Sequence, residues 1–370
     1  MNGLVLNILK ISFILYMCST TPIHAQKYVN EFLNIGVSAR AQGMSGSMVA
    51  NTTDGTAGYW NPAGLANITS PFQMNAMHAQ WFGGIANYDY LSLTKKFNDA
   101  KSGVGSLSII RMGIDNIPNT LNLVGEDGNV DYNRVTYFSD ASYAGIISYG
   151  QKLGASGKLS IGGNLKIIHR STGKFATSWG FGTDFGLRYQ SNRWIWGANI
   201  RDVTTTYNSW TFNFTDEEKL VLAVNDNEIP VRSSEVTLPR LIVGSAYKGQ
   251  KNKWGYLIEG NLVISTDGRE SAIISSKRFA VEPSLGTEID YANRVFLRMG
   301  VGNFQQVKSI TDPESSSLEV IPTIGLGLKL GRLQVDYALS NIGNVSGVLV
   351  SHIFSAKLDF FPREKQAPAN

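Results

Sequence analysis

The sequence beyond about residue 71 is built of segments in which large apolar side chains alternate with small or polar ones. Side chains two residues apart share one face of a β-strand, so this period of two predicts strands. In the clearest segment, residues 177–190, Trp179 and Phe185 belong to one face and Asp184 and Arg188 to the other. A water-soluble sandwich would bury the aromatic face, whereas a transmembrane barrel would turn it toward lipid and enclose the charges.

The pattern predicts fourteen such strands. Their expected bounds are residues 72–82, 85–97, 102–112, 141–152, 158–170, 177–190, 193–203, 238–249, 253–266, 280–291, 294–303, 321–330, 332–341 and 350–360. An even number of strands is what an antiparallel barrel needs when both ends of the chain lie on the same side.

The expected connections alternate in length. Every second one is a short turn rich in Gly, Asn, Asp and Ser, as at residues 191–192 and 292–293. The connections between them are mostly long, above all residues 113–141 and 204–237. Tight turns on one side and long loops on the other are typical of an all-β outer-membrane barrel, and a Greek-key sandwich has no reason to keep that order. A large soluble β protein with solvated charges remains the alternative.

The two faces of the predicted strands differ in charge. The face expected to meet lipid has uncharged candidates, among them Trp194, Trp196, Ile200, Trp254, Ile258, Leu262, Leu285, Leu326, Leu328, Val335, Phe354 and Leu358. The opposite face carries Arg111, Lys166, Arg170, Arg201, Lys329 and Lys357, and also the candidate lumen charges Asp184, Arg188, Glu259, Glu288, Arg298 and Asp336. Mixed signs predict ion pairs inside a wet or plugged lumen rather than an ion-selective pore.

This face assignment makes a simple prediction about two neighbouring residues. Phe185→Arg should impair membrane assembly, because a charge would face lipid, whereas Gly186→Ser on the lumen face should be milder.

The first 25 residues are expected to be a cleaved signal peptide that exports the chain to the outer membrane. Lys10 precedes an apolar run, Ile11 to Cys18, that is too short to span a bilayer, and Ala25 ends the following polar stretch. A lipid-modified Cys18 is the alternative, because Leu15 lies three residues before it. Residues 71–361 are expected to form the barrel, and residues 362–370 are expected to form a short C-terminal tail.

Residues 26–70 do not alternate and are expected to form a plug that enters the lumen before the first strand. Gly43, Gly46 and the small residues between them allow close backbone packing. Asn61, Pro62, Ala63 and Gly64 predict a fixed turn, because proline sets its own φ and disfavours the helical conformation for the residue before it. An ordinary surface turn is the alternative for this motif.

Composition excludes several kinds of function. The 370 residues include one Cys and four His, which leaves no disulfide framework, no Cys-rich zinc site and little for a catalytic metal. The net charge is +4, from 33 basic and 29 acidic residues, which is too weak to indicate nucleic-acid binding. No phosphate-binding loop and no nucleophile motif occurs, so we expect no enzyme activity, no cofactor and no metal.

The N-terminal segment resembles a known family. The stretches FLNIGVSARAQGMSG, from Phe32, and TAGYWNPAGLA, ending at Ala66, resemble the N-terminal signature of the PorV/PorQ family within the FadL-like outer-membrane barrels. Asn61, Pro62 and Ala63 of this chain resemble the hatch motif of that superfamily. The resemblance implies a fourteen-stranded barrel with an N-terminal plug. It also implies a link to type IX secretion, with the translocon, its cargo or surface-attachment proteins as partners.

Two functions are compatible with these observations. The first is a non-catalytic, partner-binding component of type IX secretion, whose outer loops meet other proteins. Its candidate partner-binding residues are the aromatic side chains Tyr207, Trp210, Phe212 and Phe214 in the expected loop 204–237. The alternative is a FadL-like passive transporter of hydrophobic small molecules. It requires an apolar pocket and an opening in the wall, whereas a filled lumen favours the interaction protein.

Overall fold

The computed structural model describes residues 29–97, 103–124, 128–224, 232–266, 272–276, 279–308, 316–340 and 350–361. The expected signal peptide, with Cys18, and the expected tail 362–370 lie outside the described residues. The strand segments of the described chain are β1 (Phe72–Trp81), β2 (Ala86–Lys96), β3 (Val104–Asn119), β4 (Thr136–Leu153), β5 (Leu159–Thr172), β6 (Ala176–Ser191), β7 (Trp194–Arg201), β8 (Thr206–Phe212), β9 (Arg232–Thr237), β10 (Arg240–Lys251), β11 (Trp254–Ser265), β12 (Ile274–Ser275), β13 (Ala280–Tyr291), β14 (Val295–Lys308), β15 (Ser316–Leu330), β16 (Leu333–Ser340) and β17 (Ser351–Phe360).

These strands form one antiparallel sheet that closes on itself. The first strand, β1, pairs with both β2 and the last strand, β17, and Phe72 lies opposite Phe360. The segments β7 and β8 occupy one position in the wall, β9 and β10 occupy the next, and the two-residue β12 lies outside the main ladder. The wall therefore has fourteen strands, and the predicted fourteen-stranded antiparallel barrel is confirmed.

The outer surface of the barrel is apolar. Large apolar side chains at alternate positions are exposed there, including Leu107, Ile147, Leu165, Phe181, Phe185, Trp196, Ile258, Leu285, Leu326, Val335 and Phe354. A continuous apolar band around a closed barrel fits the hydrocarbon core of a bilayer. No helix in the described part of the chain is long and apolar enough to cross a membrane.

The two ends of the barrel differ. One end carries both barrel termini and tight turns in which Asn192 and Asn252 have φ near +52° and +55°. An aromatic girdle surrounds this end, with ring centroids 5.0 Å apart both for Trp194 and Tyr247 and for Trp254 and Tyr291. Short turns mark the periplasmic side of outer-membrane barrels, whereas aromatic girdles occur at both interfaces, so the turns identify the opposite end as the outer one.

The expected loop 204–237 contains three regular elements. Its first part, β8, pairs with the outer half of β6 and with β9, and so extends the wall outward. A helix, Asp216–Val224, lies between β8 and β9. The aromatic segment therefore belongs to the barrel wall rather than to a free loop.

Residues 29–70 lie inside the barrel. Short helical turns at Glu31–Asn34, Ala39–Gln42, Ala57–Trp60 and Pro62–Asn67 fold this segment into a compact plug. Two further short turns, Phe82–Gly84 and Tyr132–Arg134, belong to the connections between wall strands. The plug side chains Phe32, Met44 and Tyr59 share one apolar core with inward-facing wall residues, and much of the lumen is therefore filled.

Candidate functional site

The turn motif from Asn61 to Gly64 joins two parts of the plug and fixes the plug to the wall. The Asn61 side-chain amide donates to the carbonyl oxygen of Val49 at 2.7 Å and to that of Leu187, on β6, at 3.0 Å. Its Oδ1 accepts from the backbone N–H of Ala63 at 3.1 Å, which caps the turn that begins at Pro62. A Cβ on Gly64 would lie 2.1 Å from the Thr52 carbonyl oxygen, so this position needs glycine. The motif is thus a structural junction inside the barrel.

Gly186→Ser, which is expected to be milder than Phe185→Arg, changes a tightly packed position. Gly186 faces the lumen, but a Cβ there would lie 2.2 Å from Asn61 Oδ1 and 3.0 Å from the Pro62 ring. The lumen face is packed against the plug, so an added atom has no free space. Phe185, its neighbour, is exposed on the outer surface.

The first cluster of candidate lumen charges joins the wall to the plug. Glu288 accepts from Arg40 of the plug at 2.8 Å and 3.0 Å and from Arg298 Nε at 2.6 Å. Arg298 also donates from Nη1 to Asp336 Oδ1 at 2.7 Å. These three wall residues lie on β13, β14 and β16. The cluster therefore runs along the inner face of the barrel wall and holds the plug with buried, paired charges.

The remaining lumen charges contact plug backbone or each other. Glu259 accepts from the backbone N–H groups of Ala50 and Asn51 at 2.8 Å and 3.0 Å. Arg188 Nε donates to the Ala50 carbonyl oxygen at 2.9 Å. Asp184 pairs with Lys166 at 2.7 Å. All six candidate lumen charges are buried, and their contacts are those of structural ties.

The prediction that Arg111 faces the lumen is wrong. Its neighbour Ile110 is the residue that faces inward and is fully buried. Arg111 Nη1 lies 3.4 Å from Asp89 Oδ2 on the outside of the wall, and Asp89 also contacts His78 at 2.7 Å. His78 and Asp89 lie in the outer halves of β1 and β2, and Arg111 lies opposite Asp89 near the middle of the longer strand β3.

An aromatic cavity of about 600 Å³ lies at the outer end of the barrel, which we call the outer cavity. Its lining comes from β3 and the turn after it, β4, the hairpin between β5 and β6, β8, the segment after β8, and β9. The lining residues are Pro118, Asn119, Thr120, Leu121, Phe138, Thr172, Phe175, Ala176, Trp210, Phe212, Phe214, Ser233 and Glu235. The volume lies within the range typical of sites for small molecules.

The aromatic rings of the outer cavity pack against one another. The ring centroids of Phe138 and Phe175 are 5.3 Å apart in an edge-to-face arrangement, and those of Phe175 and Phe214 are 5.9 Å apart. Phe212 stacks on Phe214 at 6.4 Å and on Trp210 at the same distance. Such contacts give the wall a defined shape and leave apolar ring surface facing the cavity.

The four candidate partner-binding residues divide between two surfaces. Trp210, Phe212 and Phe214 line the outer cavity. Tyr207 lies on the outside of β8, where its hydroxyl is 2.6 Å from Ser234 Oγ. The structure therefore brings three of the four together around a cavity. The signal in the sequence was the alternation of Trp210 and Phe212 with polar residues, which places them on one face of a strand.

The helix Asp216–Val224 is tied to the rim of the outer cavity. The side chain of Thr215 accepts from the Glu218 backbone N–H at 3.2 Å, while Glu218 Oε2 accepts from the Thr215 N–H at 2.9 Å, which is a capping box. Lys174, in the hairpin beside Phe175, contacts Glu218 Oε1 at 2.8 Å. The hydrogen bond from Lys174 lowers the pKa of Glu218. This tie therefore weakens only as the pH falls through that lowered pKa.

The wall is interrupted below the outer cavity. Residues 202–205 separate β7 from β8, and Asp202 and Thr205 have φ near +55° and +59°. On the neighbouring position, Leu238 and Pro239 separate β9 from β10 and lie outside the paired ladder. We call this place the wall break. Asp202 closes its inner side, because it is buried and hydrogen-bonded to Lys166 and Thr206.

A second cavity lies beside the plug. It measures about 10 Å³ and is lined by polar residues that include Arg40, Asp54 and Asp336. It is far smaller than the outer cavity. Among the described residues, no group of three or more His, Cys, Asp or Glu side chains is arranged to hold a metal ion.

Comparison with known proteins finds likeness in structure only. No protein-family model and no curated protein matches the sequence. The CymD monoaromatic hydrocarbon channel is 14% identical, with 89% of this chain and 99% of that chain covered and a TM-score of 0.56. The toluene transporter TodX of Pseudomonas putida is 13% identical, with 89% and 99% covered and a TM-score of 0.58. A FadL homologue of Pseudomonas aeruginosa is 12% identical, with 88% and 98% covered and a TM-score of 0.51. The chain therefore has the barrel fold of FadL-type outer-membrane channels.

Proposed function

We propose that this protein is an outer-membrane channel for the passive uptake of small, largely apolar molecules. The outer cavity is the observation that carries the proposal. It lies at the outer end, eight of its thirteen lining residues are apolar and five of these are aromatic, and its volume of about 600 Å³ suits a small ligand. Channels named for toluene and for monoaromatic hydrocarbons have the same fold, which supports this choice of ligand. Location in the outer membrane is supported by the apolar band, and export by the expected signal peptide 1–25 is part of the proposal.

The proposed route leaves the barrel sideways, through the wall break. The lumen below the outer cavity is packed with plug residues and with buried ion pairs, so a straight path would require many contacts to be broken. At the wall break, residues 202–205 form no strand pairing with Leu238 and Pro239, which lie outside the ladder, although the Val203 N–H still donates to the Thr183 carbonyl oxygen on β6. Here an apolar molecule crosses the wall at a low cost in strand hydrogen bonds and enters lipid.

Filling the outer cavity should block uptake. Ala176 is buried in the cavity lining, so Ala176→Trp places an indole where the ligand would lie. We expect the initial rate of uptake of radiolabelled toluene, by cells that carry the protein in their outer membrane, to fall by about tenfold. Thr177 is the next residue on β6 and belongs to the outer face, so Thr177→Trp is the matched control and should keep the wild-type rate. Equal uptake by wild type and Ala176→Trp, at equal amounts of folded protein, would contradict the proposal.

A partner-binding component of type IX secretion is the second candidate function. The resemblance of residues 32–66 to the PorV/PorQ signature supports it, as does the extent to which the plug fills the lumen. Its outer surface includes the helix Asp216–Val224, while Trp210 and Phe212 are committed to the outer cavity. Affinity isolation of the intact protein from detergent-solubilised outer membrane tests it. Co-isolation of translocon, cargo or surface-attachment proteins is expected, and recovery of the barrel alone would argue against this function.

A further inference from the structure

Two buried polar groups in the outer cavity lack hydrogen-bond partners. Trp210 is 8% exposed, and its indole Nε1–H has no partner among the described residues. Glu235 Oε2 is also buried and accepts no hydrogen bond from the described part of the chain, and its nearest charged partner is Arg170 Nη1 at 3.6 Å. Both residues line the cavity. Buried polar groups in proteins are nearly always paired, so an unpaired donor and an unpaired acceptor in one cavity require an explanation.

The donor and the acceptor lie close together on neighbouring strands. Trp210 on β8 is directly opposite Ser233 on β9, and Glu235 is two residues farther along β9 on the same face. Trp210 and Glu235 are therefore diagonal neighbours, and such pairs have Cα atoms about 7–8 Å apart. Both unpaired atoms, Trp210 Nε1 and Glu235 Oε2, are buried just behind the cavity surface, so a small side-chain rotation is needed to uncover them. A ligand hydroxyl that then reaches both can accept from the indole N–H and donate to the carboxylate. A hydrocarbon satisfies neither.

Arg170 balances the charge in the part of the outer cavity around Trp210 and Glu235, which we call the corner. Its guanidinium carbon lies 4.9 Å from the centre of the Trp210 ring, and its Nη1 lies 3.6 Å from Glu235 Oε2. The distance is too long for a hydrogen bond, but the positive charge of Arg170 offsets the negative charge of the Glu235 carboxylate. At the rim, Lys174 is paired with Glu218. The corner therefore has no net charge to attract an anion, and a ligand carboxylate would meet Glu235. These charges favour a neutral ligand over an acid.

We infer that the outer cavity selects small, neutral molecules that carry a hydroxyl group on an apolar body, such as phenols or hydrophobic alcohols. The aromatic wall takes the apolar body, while Trp210 and Glu235 take the hydroxyl. This inference rests on the proposed function and narrows its substrate class. Below the corner, the side-chain polar atoms of Asn208 and Ser178 are also buried and have no hydrogen-bond partner in the part of the chain that the structure describes, so further hydrogen-bonding groups continue toward the wall break.

The test compares two ligands that differ by one hydroxyl group. Purified full-length protein in detergent is titrated calorimetrically with 4-methylphenol and with toluene, and free concentrations are corrected from titrations of detergent alone. We expect 4-methylphenol to bind about tenfold more tightly than toluene, because the unpaired groups are satisfied by only one of the two. In Trp210→Phe and in Glu235→Gln, the ratio of the two affinities should fall to about one.

A control variant and the possible results of the titration distinguish a failure of this inference from a failure of the proposed function. Trp179 is exposed on the outer surface, so Trp179→Phe should keep the wild-type ratio of affinities. Equal binding of both ligands by the wild type would overturn the hydroxyl selection and leave the apolar channel standing. Binding of neither ligand would overturn both. The wild-type ratio decides the matter even if a variant fails to fold.

Discussion

Replacing Arg298 with leucine should strongly destabilise the barrel. Arg298 is fully buried, with 0% of its side chain exposed, and it bridges Glu288 and Asp336. Glu288 keeps Arg40 in the variant, but within the described residues the hydrogen bonds left to Asp336 come from the neutral side chain of Gln334. A buried charge left without its partner costs about 3–5 kcal/mol. The free energy of unfolding, measured by denaturant titration in detergent with heat-modifiable gel mobility as the signal, should fall by that amount.

Two further variants show whether the lost charge is the cause. Arg294 is exposed in the turn between β13 and β14, so Arg294→Leu should leave the free energy of unfolding unchanged to within about 0.5 kcal/mol. Adding Asp336→Asn to Arg298→Leu removes the stranded carboxylate and should restore part of the loss. If the double variant is no more stable than Arg298→Leu alone, the loss comes from packing and the electrostatic explanation is wrong.

A single methyl group on the lumen face of β5 should loosen the plug. At Gly162, a Cβ would lie 2.3 Å from the carbonyl carbon of Pro62 and 2.5 Å from the backbone nitrogen of Ala63. Because both contacts are to backbone, the plug or the wall must shift, and overpacking of this kind costs about 1–3 kcal/mol. We expect Gly162→Ala to expose Arg40, which is largely buried between the plug and Glu288, to cleavage by trypsin. Cleavage after Arg40, followed by mass spectrometry, is the measurement.

The adjacent residue provides the control. Gly163 points to the outside of the same strand, and the nearest atom to its Cβ would be the Asp184 carbonyl oxygen at 3.5 Å, an ordinary contact. Gly163→Ala should therefore resist trypsin as the wild type does. Resistance of Gly162→Ala as well would show that the plug does not pack against β5 as described.

Most of the wall was predictable because its physical signal is local. Alternation of apolar and polar residues, together with tight turns at positions such as Asn192 and Gly331, locates the strands without knowledge of their partners. The strands β8 and β9 were missed for a specific reason. In β8 the alternation is inverted, since Trp210 and Phe212 face inward, and these aromatic residues were expected in a partner-binding loop rather than in a strand.

The candidate site depends on contacts between residues that are far apart in the sequence, and a local pattern does not show such contacts. The lumen charges share one face of their strands in the sequence, but which of them pair depends on strand register and on Arg40 of the plug. Arg111 was misassigned because part of the lumen is apolar, where Ile110 meets the plug core. The outer cavity draws its lining from residues between 118 and 235, and only closure of the barrel brings Phe138, Phe175 and Phe212 together.

A crystal structure of the protein grown with bromobenzene tests whether the outer cavity receives small apolar molecules. Bromine scatters anomalously, so its position can be located without interpretation of weak density. We expect a bromine peak inside the outer cavity, among the rings of Phe138, Phe175 and Phe212. Bromine found only in the detergent around the apolar band, with none inside the barrel, would contradict this expectation.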